Sequence, residues 1–268
     1  MLSDATLGPQ PGHPIVAAQW TSGPPAGTTA GRGVALCDDR WQEILLELMP
    51  HSYTNRTART GSVVTKVYQG PEAARRCARE AAAMRGLAGR LPVPTVIFHR
   101  VDSLRMGLMA GIHAQELIDA GQADQVLRAC GQMLRRIHAI DPALARVEEQ
   151  DRVSGVLVHG DYGPNNVLLD PAACAVTAVL DWEWAHQGEP VEDLACCEWI
   201  VRMHHPQHAT ALDGLFGAYG SAPAWAERQQ AMLAQCRAML DLCERWQPGG
   251  DSTRQWQRRL AVTESWTE

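Results

Sequence analysis

Apolar and polar positions repeat with different periods along the chain, and those periods predict its elements. From Ile44 to Met49 an apolar run precedes the polar stretch HSYTNRTART (51–60) and then GSVVTKVYQG (61–70), which predicts strand, turn, strand, with Lys66 inside the second apolar run. The Ala/Arg-rich stretch 71–89 predicts a helix with Glu80 near its middle, and LPVPTVIFHR and RMGLMAGI predict two further strands. Between Ala123 and Ile140, residues Val126, Leu127, Cys130, Met133, Leu134 and Ile137 recur at helical spacing, so this segment should be a central helix with one buried face. Residues 156–184 read differently: three runs of strand formers (156–158, 167–169, 176–180) enclose the polar clusters His159-Gly160-Asp161, Asn166, and Asp181 with Glu183. Gly, Pro and Asn between those clusters favour tight loops. Beyond them Asp193 precedes an apolar helical run, where a first-turn acid should cap or complement the helix. From Ala209 to Trp256 helical patterns break at Gly220–Pro223 and Gln247–Gly250.

Composition narrows the class. The chain has 268 residues, 46% of them apolar, enough for one large domain or two lobes with a substantial core. Its net charge of −6 comes without any block of like charge, which argues against a nucleic-acid partner. No segment has the length and apolarity to cross a bilayer and no basic leader opens the chain, so the expected location is the cytoplasm. Eight scattered cysteines without a C-x-x-C pair read as reduced, buried thiols. Residues 1–40 are Gly/Pro-rich and carry no strand–glycine loop–helix pattern of the kind that cradles phosphate.

The candidate chemistry lies in the middle of the chain. An Asp, an Asn and a second Asp raised on adjacent strands can supply a carboxylate that takes a proton from an attacking hydroxyl, together with oxygen ligands for a hard cation. Lys66 alone reads as an edge-strand lysine facing water, and Glu80 as a solvated helix acid bonded to an arginine such as Arg76. Brought together, the two would form an ion pair that presents the lysine to phosphates. The backbone at Ala110 and Gly111 is placed to read a purine between two lobes. His138 reads as a hydrogen-bonded structural group, and His204 with His208 lack a third ligand at a zinc spacing.

HGDYGPNNVLLD followed by VLDWEWA resembles the signature of the aminoglycoside phosphotransferase and choline kinase-like family. MPHSYTNRTART, VVTKVY, REAAAMRGL, LPVP, GQMLRRIHAID and GEPVEDLA match further family segments in order, over roughly residues 41–200. The resemblance implies an α+β, two-lobed protein-kinase-like fold. Residues 41–111 would form a small nucleotide-binding lobe with an antiparallel sheet and one helix, and 112–268 a larger, mainly helical lobe. It implies Asp161 as base with His159 bracing the loop, Asn166 and Asp181 holding Mg2+, and Glu183 as a carboxylate that either supports the metal ligands or binds the metal itself. Lys66, held by Glu80, would contact the phosphates of ATP or GTP, with Ser52, Thr54 and Asn55 approaching them from the hairpin turn. The implied activity is transfer of a γ-phosphate to a hydroxyl of a small polar molecule. An antibiotic is the leading acceptor, and a metabolite such as choline, an amino alcohol, a sugar or homoserine is the alternative. A nucleotide-binding protein without catalysis is the remaining reading, against which stands the presence of Asp161, Asn166, Asp181 and Lys66 together. A polyamine antibiotic would need acids, for which Glu189, Glu192, Glu198, Asp213 and Asp241 are candidates, and choline an aromatic cage, for which Trp182, Trp184 and Trp199 lie nearby.

Overall fold

A computed structural model of the protein describes residues 47–48, 55–146 and 155–268. The expectations for residues 1–40, Ser52 and Thr54 lie outside the described residues. The first part is an antiparallel sheet of β1 (Glu47–Leu48), β2 (Arg56–Thr60), β3 (Val63–Val67), β4 (Val96–His99) and β5 (Ser103–Gly107), in the order β1-β2-β3-β5-β4. Within the polar stretch expected to be a turn, RTART is a strand that pairs residue for residue with β3, from Arg56 opposite Val67 to Thr60 opposite Val63. Its side chains are mostly exposed or half-buried, so it carries no apolar signal although its backbone is fully laddered. The hairpin closes at Gly61, whose φ of +59° suits a residue without a Cβ.

This pairing decides the fate of Lys66. β3 lies between β2 and β5, with Lys66 opposite Thr57 on one side and Leu104 on the other. It therefore sits on a central strand and shares the inward face with Val64, and only 6% of it is exposed. Helix α1 (Ala73–Leu87) follows and packs beside β4 and β5 through Cys77, Ala81, Met84 and Leu87.

The chain then passes through β6 (Ile112–His113) and the short α2 (Ala114–Asp119) into α3 (Ala123–His138). The helical stripe expected there is buried, from Val126 to Ile137, and each such side chain contributes about 1.5–3 kcal/mol by leaving water. Three short strands carry the polar clusters: β7 (Val156–Val158), β8 (Val167–Asp170) and β9 (Ala175–Val179). β8 lies between β6 and β9, while β7 pairs with β10 (His186–Gly188). Helices α4 (Pro190–His204), α5 (Leu212–Tyr219), α6 (Trp225–Trp246) and α7 (Asp251–Glu264) complete the larger part. α3 packs against α5, and α4 and α7 pack against α6 around a second core that includes Trp199, Met232, Cys236 and Trp256. The breaks read at Gly220–Pro223 and Gln247–Gly250 are where α5, α6 and α7 meet. The expected α+β arrangement, a sheet lobe with one helix beside a larger helical part, is the one that forms. Among the described residues no helix is long and apolar enough to cross a membrane.

Leu134 lies at the centre of the α3 stripe and is fully buried. Leu134→Ala should lower the unfolding free energy by about 2–5 kcal/mol, read as a reduced urea midpoint.

Candidate active site

The loop between β7 and β8 is held from below by Asp193 on α4. Its two oxygens accept the backbone N–H groups of His159 (2.8 Å) and Gly160 (2.9 Å), and Oδ2 also meets His138 Nε2 at 3.1 Å. Asp193 is completely buried, yet these donors keep its carboxyl below the usual range against the upward push of burial. The sequence suggested a helix-capping acid here, but capping falls to Glu192, whose Oε1 accepts from the Glu189 N–H at 2.7 Å. Asp193 one position later points inward to the loop. His138 is the structural histidine the sequence suggested, fixed on its other side by Tyr219 Oη at 2.9 Å.

His159 is buried and neutral, since burial pulls its pKa below the ordinary value. Its Nε2 lies 2.8 Å from the Leu180 carbonyl, which can only accept, so Nε2 carries the proton. Nδ1 is then free to accept the Asp161 N–H at 3.2 Å. One imidazole thus ties the loop to the strand end that precedes Asp181. Gly160 is required by the same geometry: its φ is +84°, and a Cβ there would lie 2.6 Å from the Trp184 carbonyl oxygen.

Asp161 emerges from this braced loop. Asn166 Nδ2 donates to its Oδ2 at 2.9 Å and to its carbonyl at 2.8 Å. Oδ1 faces the Cys196 thiol on α4 at 3.9 Å, a weak and long contact, so it is the oxygen open to a proton donor. Burial, reinforced by the negative charge of Asp181, pushes the Asp161 carboxyl up to about 8.

Asp181 is brought beside Asn166 by the backbone: Leu180 N–H donates to the Asn166 carbonyl at 2.8 Å. Asp181 itself has φ +65° and ψ +58°, a left-handed conformation costly for a non-glycine residue and typical of functional positions. It turns its carboxylate toward Lys66, whose Nζ lies 2.6 Å from Asp181 Oδ1 and 2.7 Å from Glu80 Oε2. Tyr68 Oη donates to the same Glu80 oxygen. Burial pulls the Lys66 ammonium toward neutrality, but Asp181, Glu80 and Glu183 outweigh it and keep the lysine charged. Both solitary readings, a lysine facing water and a Glu80 bonded to Arg76, give way to a buried ion pair.

Asn55 and Glu183 meet behind this group. Asn55 Nδ2 donates to both Glu183 oxygens, at 3.2 and 2.9 Å, and Arg76 Nη1 reaches Oε2 at 3.0 Å. Carboxylate oxygens of Glu80, Asp181 and Glu183 lie within 4.8 Å of one another. Lys66 stands among them, with Glu183 Oε2 at 3.6 Å from its Nζ.

The open oxygen donors next to Asp161 suit a hard divalent cation. Asn166 has its amide nitrogen engaged, which leaves its carbonyl oxygen as the ligand atom, and the Asp181 carboxylate stands alongside. The Ala110 carbonyl, one of the backbone groups expected beside a base, accepts Thr177 Oγ1 at 2.6 Å. Asp193, Arg76, Tyr68 and Cys196 are the neighbours that sequence reasoning did not place here. The signal for Arg76 was faint: one of several arginines on an Ala/Arg-rich helix, one turn before Glu80.

Comparison with known proteins places this geometry. The profile of the family described as Phosphotransferase enzyme family matches residues 46–155 and 143–230. Acyl-CoA dehydrogenase family member 11 from Homo sapiens is 49% identical over 91 residues, which is 34% of this chain and 11% of that protein. Its counterpart from Rattus norvegicus is 51% identical over 39 residues, or 15% of this chain and 5% of that protein. The chain therefore spans only a small part of the curated relatives it matches. Among solved structures, the GDP complex of aminoglycoside 2'-phosphotransferase-IIIa superposes with a TM-score of 0.66 at 12% identity, covering 82% of this chain and 92% of that one. A macrolide 2'-phosphotransferase from Brachybacterium faecium gives 0.55 at 18% identity, covering 83% and 93%. A choline/ethanolamine kinase family protein from Mesorhizobium loti gives 0.58 at 16% identity, covering 82% and 87%. These likenesses establish a shared kinase-like fold. Because the family profile spans well over half of the sequence, from β1 through the helices that follow Asp193, the chain belongs to the phosphotransferase enzyme family.

Proposed function

We propose that this chain transfers the γ-phosphoryl group of ATP or GTP to a hydroxyl group of a small molecule. The observation that carries the reading is the pairing of Asp161, whose Oδ1 is open, with Asn166 and Asp181 beside a charged Lys66. In its ionised form Asp161 orients the acceptor hydroxyl and takes its proton as the acceptor oxygen bonds to phosphorus. The bond from that phosphorus to the bridging oxygen breaks, and the nucleoside diphosphate leaves. Lys66, held by Glu80, contacts the donor phosphates. Asn166 and Asp181 would hold Mg2+, which when bound neutralises charge on the phosphate oxygens. Asn55 braces Glu183 behind the lysine, and His159 keeps the loop of Asp161 in register with Asp181.

For the acceptor, a polyamine antibiotic needs uncommitted acids, and most candidates for that role are committed elsewhere. Glu198 is fully buried between Arg228 (2.7 Å) and Arg202 (2.8 Å). Glu192 pairs with His186 at 2.8 Å and Asp241 with Arg245 at 3.0 Å. Choline fares no better: Trp182 is buried, Trp184 lies under Arg76, and Trp199 stacks on Trp256. The 49% identity to a protein named for acyl-CoA dehydrogenation contrasts with 12–18% for the antibiotic kinases. It favours a metabolite, with a hydroxylated acyl thioester as the first class to assay. The purified chain with Mg2+ and ATP or GTP should phosphorylate one member of a panel of hydroxyacyl-CoA, homoserine, choline, kanamycin and a macrolide. Resistance to kanamycin or a macrolide in cells expressing the gene would return the antibiotic to first place.

Asp161→Asn should reduce transfer by about 10²–10⁴-fold while nucleotide affinity stays near that of the wild type; near-normal turnover would remove Asp161 as base. Asp181→Ala should weaken nucleotide binding by about tenfold or more when Mg2+ is present, measured by calorimetry. A third expectation concerns stability. With its pKa pushed up to about 8, folded Asp161 holds a proton that the unfolded chain releases near its ordinary value of 3.8, so this group lowers stability as pH rises through that window. The stability of Asp161→Asn relative to wild type should therefore grow between pH 5 and pH 8, by at least about 1 kcal/mol in urea unfolding.

A further inference from the structure

We propose that Glu183 is a positioning residue that latches helix α1 to the segment carrying Asp181, and that it is not a ligand of the cation. The inference deepens the proposed phosphotransfer reading, since it concerns how Lys66 and Asp181 are held for a nucleotide.

The first ground is that the carboxylate is fully engaged. Its two oxygens receive Asn55 Nδ2 at 3.2 and 2.9 Å, Arg76 Nη1 at 3.0 Å and the more distant Lys66 ammonium at 3.6 Å. Only 1% of the residue is exposed. A hydrated divalent cation demands open oxygen ligands in near-octahedral array, whereas these oxygens point at nitrogen donors.

The second ground is where those donors come from. Arg76 and Arg79 lie one turn apart on α1, in the turn that leads into Glu80. Arg76 takes the Glu183 side chain, and Arg79 Nη1 donates to the Glu183 backbone carbonyl at 3.1 Å. A single residue thus grips the helix through both its side chain and its main chain. Arg76 is fixed in turn by the carbonyls of Pro71 (3.2 Å) and Gln69 and lies over the Trp184 ring at 5.5 Å, with 1% exposure.

The consequence follows from the position of Glu80 on the same helix. If α1 swung away from Asp181, the Lys66–Glu80 pair would open, and Arg76 and Glu183 would each be left as a buried charge without its partner. The latch makes that movement unfavourable before any nucleotide arrives. The lysine, its glutamate and Asp181 are therefore held together by contacts of the chain itself.

The test uses the full chain, Glu183→Gln and Arg76→Met, with Mn2+ and ADP as probes. Amide exchange of residues 73–87 in the nucleotide-free protein should quicken by more than about tenfold in both variants, as expected when a buried pair is broken. Mn2+ affinity in the presence of saturating ADP, read by electron paramagnetic resonance, should stay within about twofold of wild type in both. Exchange in α1 unchanged in either folded variant would overturn the latch. A tenfold loss of Mn2+ affinity confined to Glu183→Gln would overturn it in favour of a metal ligand. If one variant fails to fold, the other carries the same two readouts. Neither readout involves an acceptor or turnover, so failure of the wild-type chain to transfer phosphate would sink the proposed function and leave this result standing.

Discussion

The structure depends on keeping one ammonium group charged where water is scarce. An isolated lysine placed as deeply as Lys66 would cost several kcal/mol in lost hydration, and it is retained because three carboxylates, Glu80 of α1 and Asp181 and Glu183 of one later segment, converge on it. That demand accounts for otherwise unrelated features. Lys66 occupies a central strand, α1 turns Glu80 rather than an alanine inward, and Asp181 accepts a left-handed backbone to aim its side chain. Glu183 then needs Asn55 and Arg76, because three acids around one lysine would otherwise leave excess negative charge buried.

A second layer of polar contacts fixes the loop opposite. Asp193 holds two successive N–H groups at the start of the loop, and neutral His159 links it to the carbonyl just before Asp181. Asn166 bonds both the carbonyl and the carboxylate of Asp161. The bonds from Asp193 tie the start of the loop to a packed helix outside it, which is how a loop acquires the precision of a core.

The loop itself was legible in the sequence because its chemistry is local: HGDYGPNN and DWEW set the polar residues between strand formers within a short stretch. Lys66 and Glu80 were legible only through the order of segments, since each alone suits a solvated surface better. RTART escaped because a strand whose side chains face water has no apolar period to read, and its pairing with β3 is a property of the backbone. Asp193 was misjudged because its position at a helix start has an adequate local explanation, while its actual partners, at positions 159 and 160, are set by the packing of α4 under the loop. Arg76 was invisible for the complementary reason: arginines on an alanine-rich helix look solvated until the tertiary fold buries one of them. The acids of the C-terminal helices show the same limit, as nothing local distinguishes buried Glu198, clamped by two arginines, from exposed Asp241.

The asymmetry of Asp161 reaches beyond its own chemistry. One oxygen is anchored to Asn166 on the nucleotide side, and the other looks toward Cys196 on α4, whose thiol is in turn touched by Gln235 on α6 at 3.0 Å. The residues proposed to handle phosphate are carried by the sheet lobe and the β7–β9 loops, whereas the surroundings of the open oxygen are carried by helices that come later in the chain. Apart from Asp193, which braces the loop, α4 and α6 can therefore vary without disturbing the proposed donor site. A lineage built this way can change what it modifies faster than it changes how, and a clear family assignment then coexists naturally with an open choice of acceptor.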